Sequence, residues 1–364
     1  MVRLGDVCEK GSSSIAQKDL DSNDGEYPIY GAAGLIKLVD FYKQENPYIA
    51  IVKDGAGIGR TMILPAKSSV IGTMQYIIPN NQIDTSYLFY VITYMNLAKY
   101  YTGATIPHIY FKDYQKEMLP LPPIDEQKRI AKTLDLASEI VKGYKEQLAE
   151  LDKLEQSVFY EMFGESKTNP MQWTIKKLGE IAKVGSSKRV FTDELVSNGV
   201  PFYRGTEIGA LATKRKIKAE LFIAKEHYDE LCKASGKPTI GDLLMPSICD
   251  DGRIWRVDSD EAFYFKDGRV LWIHFDRQEN DDVYMQFALK EKLINDYNNI
   301  ASGTTFAELK IFALKNVDIM LPPLPLQTRF AAIVTAIESQ KAQVQQALTE
   351  AENLFNSLMQ EYFE

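Results

Sequence analysis

The sequence predicts an α+β chain: two mixed α/β domains joined by two long helices that form an antiparallel coiled coil, the whole a pseudo-twofold tandem repeat. Three observations predict it. The second half of the chain repeats the first at an offset of 200 residues, each copy ends in a long heptad pattern, and each copy opens on short β-like runs broken by turns.

TGAT begins at Thr102 and SGTT at Ser302, and the same offset carries LPPIDEQKRI (from Leu121) onto LPPLPLQTRF (from Leu321). It continues without a gap through Leu148 and Leu348, Leu154 and Leu354, Glu161 and Glu361, to Phe163 and Phe363. Nearer the start, RLGDVCEKGSS (from Arg3) matches KLGEIAKVGSS (from Lys177) at an offset of 174, so the second copy carries insertions between the two matches. The expected divisions are a first domain at 1–120, a first helix at 121–164, a second domain at 165–320 and a second helix at 321–364.

Within each copy the strand-like runs come first. They are PYIAIVK (from Pro47), TMILP (from Thr61) and MQYIIP (from Met74), then DLLMPSI (from Asp242), RIWRV (from Arg253) and RVLWIHF (from Arg269). Short helical runs follow at DTSYLFYVITYM (from Asp84) and DDVYMQFALKEKLIN (from Asp281). After each LPP a long helix begins, with Asp125 as an N-cap or first-turn acid of the first. Its seam is Ile130, Leu134, Ala137, Val141, Tyr144, Leu148, Leu151, Glu155, Val158 and Met162. The second repeats the register with Phe330, Val334, Ile337, Lys341, Val344, Leu348, Ala351, Phe355, Leu358 and Tyr362. Alternating spacings of three and four are what a coiled coil requires. Glu155 and Lys341 interrupt the seam, and either face each other or lie near an end. Each domain leads into its own helix, so antiparallel pairing separates the domains and parallel pairing crowds them.

The 364 residues are 45% hydrophobic and 25% charged, the composition of a globular protein of two ordinary domains. The opening MVRLGDVCEK lacks the apolar core of a signal peptide, and YLFYVITYM is too short to span a bilayer. Three scattered cysteines, Cys8, Cys232 and Cys249, make no disulfide framework and fit a reducing, cytoplasmic setting. A net charge of −8 argues at first against nucleic acid. From Asp125 to Phe163, however, nine acids face six bases, and from Gln327 to Glu364 five face two. The two helices thus carry −6 of the −8 and leave the rest of the chain near neutral.

Catalytic signals are weak. KDGAGIGR (Lys53–Arg60) is glycine-rich, but β-like TMILP follows where a phosphate loop would open a helix. Asn46-Pro47-Tyr48 lacks the second proline of an amino-methyltransferase motif, and Glu308-Leu309-Lys310 lacks the paired acid of a nuclease. His108, His227 and His274 share no ligand spacing with the cysteines, so no metal site is expected. The features compatible with DNA are plainer. The hydroxyl-rich loops hold Thr102, Thr105 and His108 in one copy and Ser302, Thr304 and Thr305 in the other, good donors to phosphates and base edges. Around them stand Lys53 and Arg60 in the first copy, and Lys188, Arg189, Arg204, Arg253 and Arg256 in the second, cations suited to guanine acceptors or phosphates. Tyr30 and Tyr203 follow a proline in matching turns. A solvated or structural role is the plain alternative for any one of these, and also for the run Lys214, Arg215, Lys216 and Lys218.

LPPIDEQKRI with a heptad helix ending in EMFG, its second edition LPPLPLQTRF ending in SLMQEYF, the openings RLGDVCEK and KLGEIAKV, and the loops TGATIPHI and SGTTFAEL together resemble type I restriction–modification specificity subunits. The resemblance spans essentially the whole chain, although LPLQ stands in the second copy where the first has IDEQ. It implies two target-recognition domains, each reading half of a split, asymmetric site in double-stranded DNA, with spacer helices setting the gap. It also implies a subunit with no catalysis and no bound cofactor of its own. Its partners would be two methyltransferase subunits using S-adenosylmethionine, and translocase–endonuclease subunits using ATP and Mg, in a host-defence system. The rivals are a specificity subunit of a modification-only system, a coiled-coil protein scaffold, and a free-standing methyltransferase or nuclease.

Overall fold

The computed structural model describes residues 1–103, 107–303 and 307–364. The chain divides into two units, Met1–Gln147 with Val344–Glu364, and Leu148–Gln343. Each long helix therefore contributes one part to each unit.

The first unit is built on a four-stranded antiparallel sheet. Its strands are β1 (Cys8–Ser12), β4 (Tyr48–Val52), β5 (Thr61–Leu64) and β7 (Met74–Pro79), and β2 (Tyr27–Gly31), β3 (Gly34–Val39) and β6 (Ser69–Val70) form a smaller sheet. The strand order in the main sheet is β1-β7-β4-β5, while β6 pairs with β2 in parallel, Tyr30 beside Val70. YIAIV reads as an unbroken apolar run because the sheet is covered on both faces. Ile49 and Ile51 enter a core with Tyr87, Leu88 and Val91, and Tyr48, Ala50 and Val52 pack on Val70 and Tyr76 behind it. Helix α1 (Thr85–Met95) is capped by Asp84, whose carboxylate accepts the Tyr87 N–H at 3.0 Å.

Helix α2 (Ile124–Phe163) is 40 residues long, with Asp125 and Glu126 in its first turn. In the second unit, β8 (Ala182–Gly185), β10 (Leu243–Pro246), β11 (Trp255–Arg256) and β13 (Val270–Phe275) make the matching sheet, ordered β8-β13-β10-β11. β9 (Val200–Tyr203) pairs in parallel with β12 (Tyr264–Phe265), Tyr203 beside Phe265, as Tyr30 stands beside Val70. The second copy is longer between Tyr203 and Leu243, where it holds helices α3 (Gly205–Ala212) and α4 (Lys225–Ser235). Helix α5 (Asp282–Ile300) starts on the Asp281 cap and runs five residues past the run expected from the sequence, with Tyr297 still buried. Helix α6 (Leu324–Phe363) is again 40 residues long, at the same offset from α2.

The long helices pack on each other antiparallel within each unit. In the first, Ile130, Ala131 and Leu134 near the start of α2 share a core with Met359 and Phe363 at the end of α6. In the second, Phe159 and Phe163 at the end of α2 meet Phe330 and Val334 near the start of α6. The heptad stripe is the covered one. Ile130, Leu134, Phe330, Val334, Ile337, Val344 and Leu348 are buried, and Val141, Tyr144, Leu148, Leu151, Val158, Phe355 and Leu358 are half-buried. The interrupting pair faces across the seam, with Lys341 Nζ 2.7 Å from Glu155 Oε2 and 2.5 Å from Asp152. Among the described residues no helix is long and apolar enough to cross a membrane.

Candidate nucleic-acid interface

Of the first-domain candidates, Lys53, Arg60, Thr102 and His108 gather around one loop. Between β4 and β5 the chain turns through Gly55, Gly57 and Gly59, with φ of 80°, 84° and 80°, a region that favours glycine. At Gly59 a Cβ would also lie 2.6 Å from the Ala98 nitrogen, so only glycine fits. The Val52 N–H donates to the Arg60 carbonyl and the Gly59 N–H to that of Val52, each at 2.9 Å. The result is a tight hairpin that leads into β5 and aims no helix N-terminus at a ligand. The loop after Thr102 is fastened beside it, Gly55 N–H to Pro107 carbonyl at 3.1 Å and Ile109 N–H to Lys53 carbonyl at 3.0 Å. Thr102 and His108 exchange both backbone hydrogen bonds at 2.8 Å.

Lys53, Thr102 and His108 therefore share one surface. Asp54 lies between the two bases, 3.4 Å from Lys53 Nζ and in contact with His108 Nδ1. Burial, and then the charge of Lys53, hold the imidazole below its usual pKa. Tyr110 packs on the ring at 4.2 Å. Arg60 is exposed at the end of the hairpin and donates to the Ala32 carbonyl at 3.0 Å. Tyr30 packs against the core behind the sheet.

In the second domain the same backbone frame recurs with different charges. Ser302 and Glu308 exchange backbone bonds at 3.0 and 2.8 Å, and Leu309 N–H donates to the Ser247 carbonyl at 2.7 Å, as Ile109 does to Lys53. The position of His108 is taken by Glu308. Its carboxylate accepts from Lys310 and from the Ser247 hydroxyl at 2.9 Å, and Arg269 adds a bond at 3.1 Å. The Lys310 bond leads in holding Glu308 below the usual carboxylate range. Thr105, Thr304 and Thr305 lie outside the described residues.

The other second-domain candidates are not brought together. Lys188 and Arg189 are exposed beyond β8, with Arg189 Nε 3.0 Å from Asp267 and the guanidinium over Phe191. Arg204 is half-buried and held by two carboxylates, bonded to Glu207 at the start of α3 and, at 2.8 Å, to Glu220. Arg253 Nε is 2.6 Å from Asp251. Arg256 meets Asp282 at 3.1 Å and Glu338 of α6 at 3.7 Å, and Lys214 of the basic run also reaches Glu338, at 2.9 Å. Tyr203 stacks on Phe263 with ring centroids 5.4 Å apart.

The sequence did not single out Arg269 or Arg277, and it offered Lys310 and His274 only as weak nuclease or metal-ligand candidates. Lys310 was within reach, because the offset places it on Tyr110. His274 and Arg277 are organised by Asp242, a fully buried carboxylate that also accepts from Trp272 Nε1 at 2.8 Å. Asp242 lies 2.8 Å from His274 Nδ1 and 3.1 Å from Arg277, and both line a groove of about 750 Å³ with Lys183 and Gln278. The matching strand positions in the first domain hold Tyr48 and Ile78, so this polar cluster belongs to the second domain alone. Among the described residues no group of His, Cys, Asp and Glu is arranged to hold a metal.

Comparison with known proteins finds one family description over nearly all of the chain. The type I restriction modification DNA specificity domain matches residues 1–151 and again 170–353. A putative type I restriction enzyme specificity subunit of Haemophilus influenzae is 26% identical over 328 residues, covering 86% of this chain and 81% of that protein. The MjaVIII specificity subunit of Methanocaldococcus jannaschii is 25% identical over 399 residues, covering 97% and 91%. Among solved structures, the type I restriction–modification S subunit of M. genitalium superposes over 100% of this chain and 95% of its own, with a TM-score of 0.62 at 16% identity. A chain from a type I system solved in a study of complex assembly gives 0.55 at 17% identity, covering 99% and 96%. At these identities the superpositions speak to the fold alone.

Proposed function

The chain belongs to the type I restriction–modification DNA specificity family, and from that premise we propose how this member divides its work. As the DNA-specificity subunit it is the non-catalytic part of such a complex. Residues 1–120 and 165–320 each read one half of a bipartite, asymmetric site in double-stranded DNA, and the spacers 121–164 and 321–364 set the gap between the halves.

One observation carries this reading. The two domains share a backbone frame yet present different chemistry at matched positions, His108 with Tyr110 against Glu308 with Lys310. Imidazole and carboxylate make different hydrogen bonds to base edges, so equal frames with unequal side chains suit unequal half-sites. In the first half Lys53, Arg60, Thr102 and His108 are the readers, with Thr105 among them. In the second, Lys188, Arg189, Ser302, Thr304, Thr305 and Arg253 take that role, joined by Arg269. Leu136 and Ile140 of α2 lie off the seam and are 54% and 51% exposed, apolar surface suited to docking methyltransferase subunits. S-adenosylmethionine would belong to those subunits, and ATP with Mg to translocase–endonuclease subunits, all in the cytoplasm.

The test is methylation of a randomised duplex library by the full chain with its methyltransferase subunits, in wild type and in Arg60→Ala. The substitution should relax bases in one half-site only, by about 1–3 kcal/mol if Arg60 holds a guanine. Relaxation in both halves at once, or a contiguous recognised site, would overturn the division of labour.

A further inference from the structure

Gln127 and Gln327 occupy the last position of LPPIDEQ and LPPLPLQ and are 0% and 1% exposed. Gln127 Oε1 accepts the Asp84 N–H at 2.8 Å, and its Nε2 donates to the carbonyls of Pro122 at 2.9 Å and Gln82 at 3.1 Å. Gln327 Oε1 accepts the Asp281 N–H at 2.9 Å and Nε2 donates to the Pro322 carbonyl at 2.8 Å. An amide is needed for this: a carboxylate has no donor, and an apolar side chain would leave buried backbone groups unpaired. Because Asp84 and Asp281 are the N-caps of α1 and α5, one side chain ties a domain helix to the first turn of a long helix.

A second pair completes the joint. The hydroxyls of Tyr87 and Tyr284, both 0% exposed, donate to the Pro120 and Met320 carbonyls at 2.9 and 2.8 Å, just ahead of α2 and α6. Their rings meet Phe363 and Phe163 edge-on, centroids 5.5 and 4.8 Å apart, the last helical residues of α6 and α2. Each domain is thus keyed to the start of its own long helix and to the end of the other, by the same side chains in both copies. This sameness persists where the copies otherwise differ, in the insertion, in the Asp242 cluster and in the charges at 108 and 308.

We propose that Gln127 and Gln327, with Tyr87 and Tyr284, are positioning residues that fix the angle of each domain on the coiled coil and so the half-site spacing that the chain accepts. The proposal rests on the bipartite reading above. The tolerance is narrow, because successive base pairs are only about 3.4 Å apart and a small tilt at the joint is magnified at the reading surface.

The experiment uses the full chain with its methyltransferase subunits and S-adenosylmethionine, on duplexes holding both half-sites at the native gap and at gaps one and two base pairs shorter and longer. Wild type comes first: if it methylates no bipartite site, the functional reading fails, whatever the joint does. Given a bipartite site, Gln127→Met and Tyr87→Phe should keep both half-sites and lower the preference for the native gap roughly tenfold, about 1.4 kcal/mol. Tyr87→Phe keeps the ring on Phe363 and removes one hydroxyl, so it carries the test where Gln127→Met does not fold. A uniform loss of methylation at every gap, or an unchanged gap preference, would reduce these residues to ordinary core and overturn the proposal. Altered half-site bases would do the same.

Discussion

At Glu207, burial and pairing act in opposite directions. Burial pushes the carboxyl up, but the Arg204 guanidinium, the Arg204 N–H at 2.8 Å and the Thr206 hydroxyl at 3.0 Å bring it down to about 2. A folded value below the unfolded one contributes stability that is full above about pH 4.5 and fades as pH falls towards 2, about 3 kcal/mol in all. Urea midpoints of wild type should therefore fall more steeply between pH 5 and 2 than those of Glu207→Gln; equal slopes would remove Glu207 from the acid limb. Arg204→Ala should cost about 2 kcal/mol of stability, because it strands a buried carboxylate, whereas Arg60→Ala should leave the melting temperature within about 1 °C since Arg60 is exposed and makes one backbone contact. Both arginines look like base readers in the sequence. What separates them is the buried carboxylate of Glu207, three residues on, which Arg204 pairs and for which Arg60 has no counterpart. Glu220, 16 residues away, adds a second, exposed bond that only the fold supplies. The Asp242 cluster was hidden for the same reason, since its partners come from positions 239, 272, 274 and 277.

The long helices were legible because a heptad pattern is local and repeated twice, and a seam of that period admits few other structures. Central strands were legible too, as apolar runs such as YIAIV buried on both faces. Helix α4 was not, because KEHYDELCKAS is mostly polar and buries only Tyr228 fully. Nor was the pairing of Val2–Arg3 with Met118–Leu119, a two-residue contact over more than a hundred positions. In the seam, Leu134 is fully buried, and Leu134→Ala should cost about 2–5 kcal/mol in chemical denaturation. The charged crossing behaves differently. Burial pushes Glu155 above the usual carboxylate range even with Lys341 beside it, so desolvation offsets much of the attraction. Lys341→Val alone should therefore cost about 3 kcal/mol, while Glu155→Phe with Lys341→Val, the residues of the other copy, should be neutral or stabilising. A double variant weaker than the single one would contradict this.

For the molecule as a whole, the net charge of −8 was a poor guide to its partners, since −6 of it lies on the coiled coil. The repeat was the better guide, because duplication links two domains and two helices in one step. The proposed bipartite reading on a heptad spacer makes a direct prediction. Removing one heptad from each long helix should shorten the gap between half-sites in the methylated motif and leave both half-sites unchanged. An unchanged gap in a methylome of the variant would sever helix length from spacing. The crossing of Glu155 and Lys341 has a further consequence for how such a chain can evolve. A fresh duplication yields two interchangeable halves, able to pair with themselves. Here the first half carries Glu155 and Val141, and the second Phe355 and Lys341. Two copies of the first half would set a carboxylate against a valine, and two of the second an ammonium against a phenylalanine. The halves have become complementary rather than equivalent along the seam, so one helix can be exchanged only together with its mate.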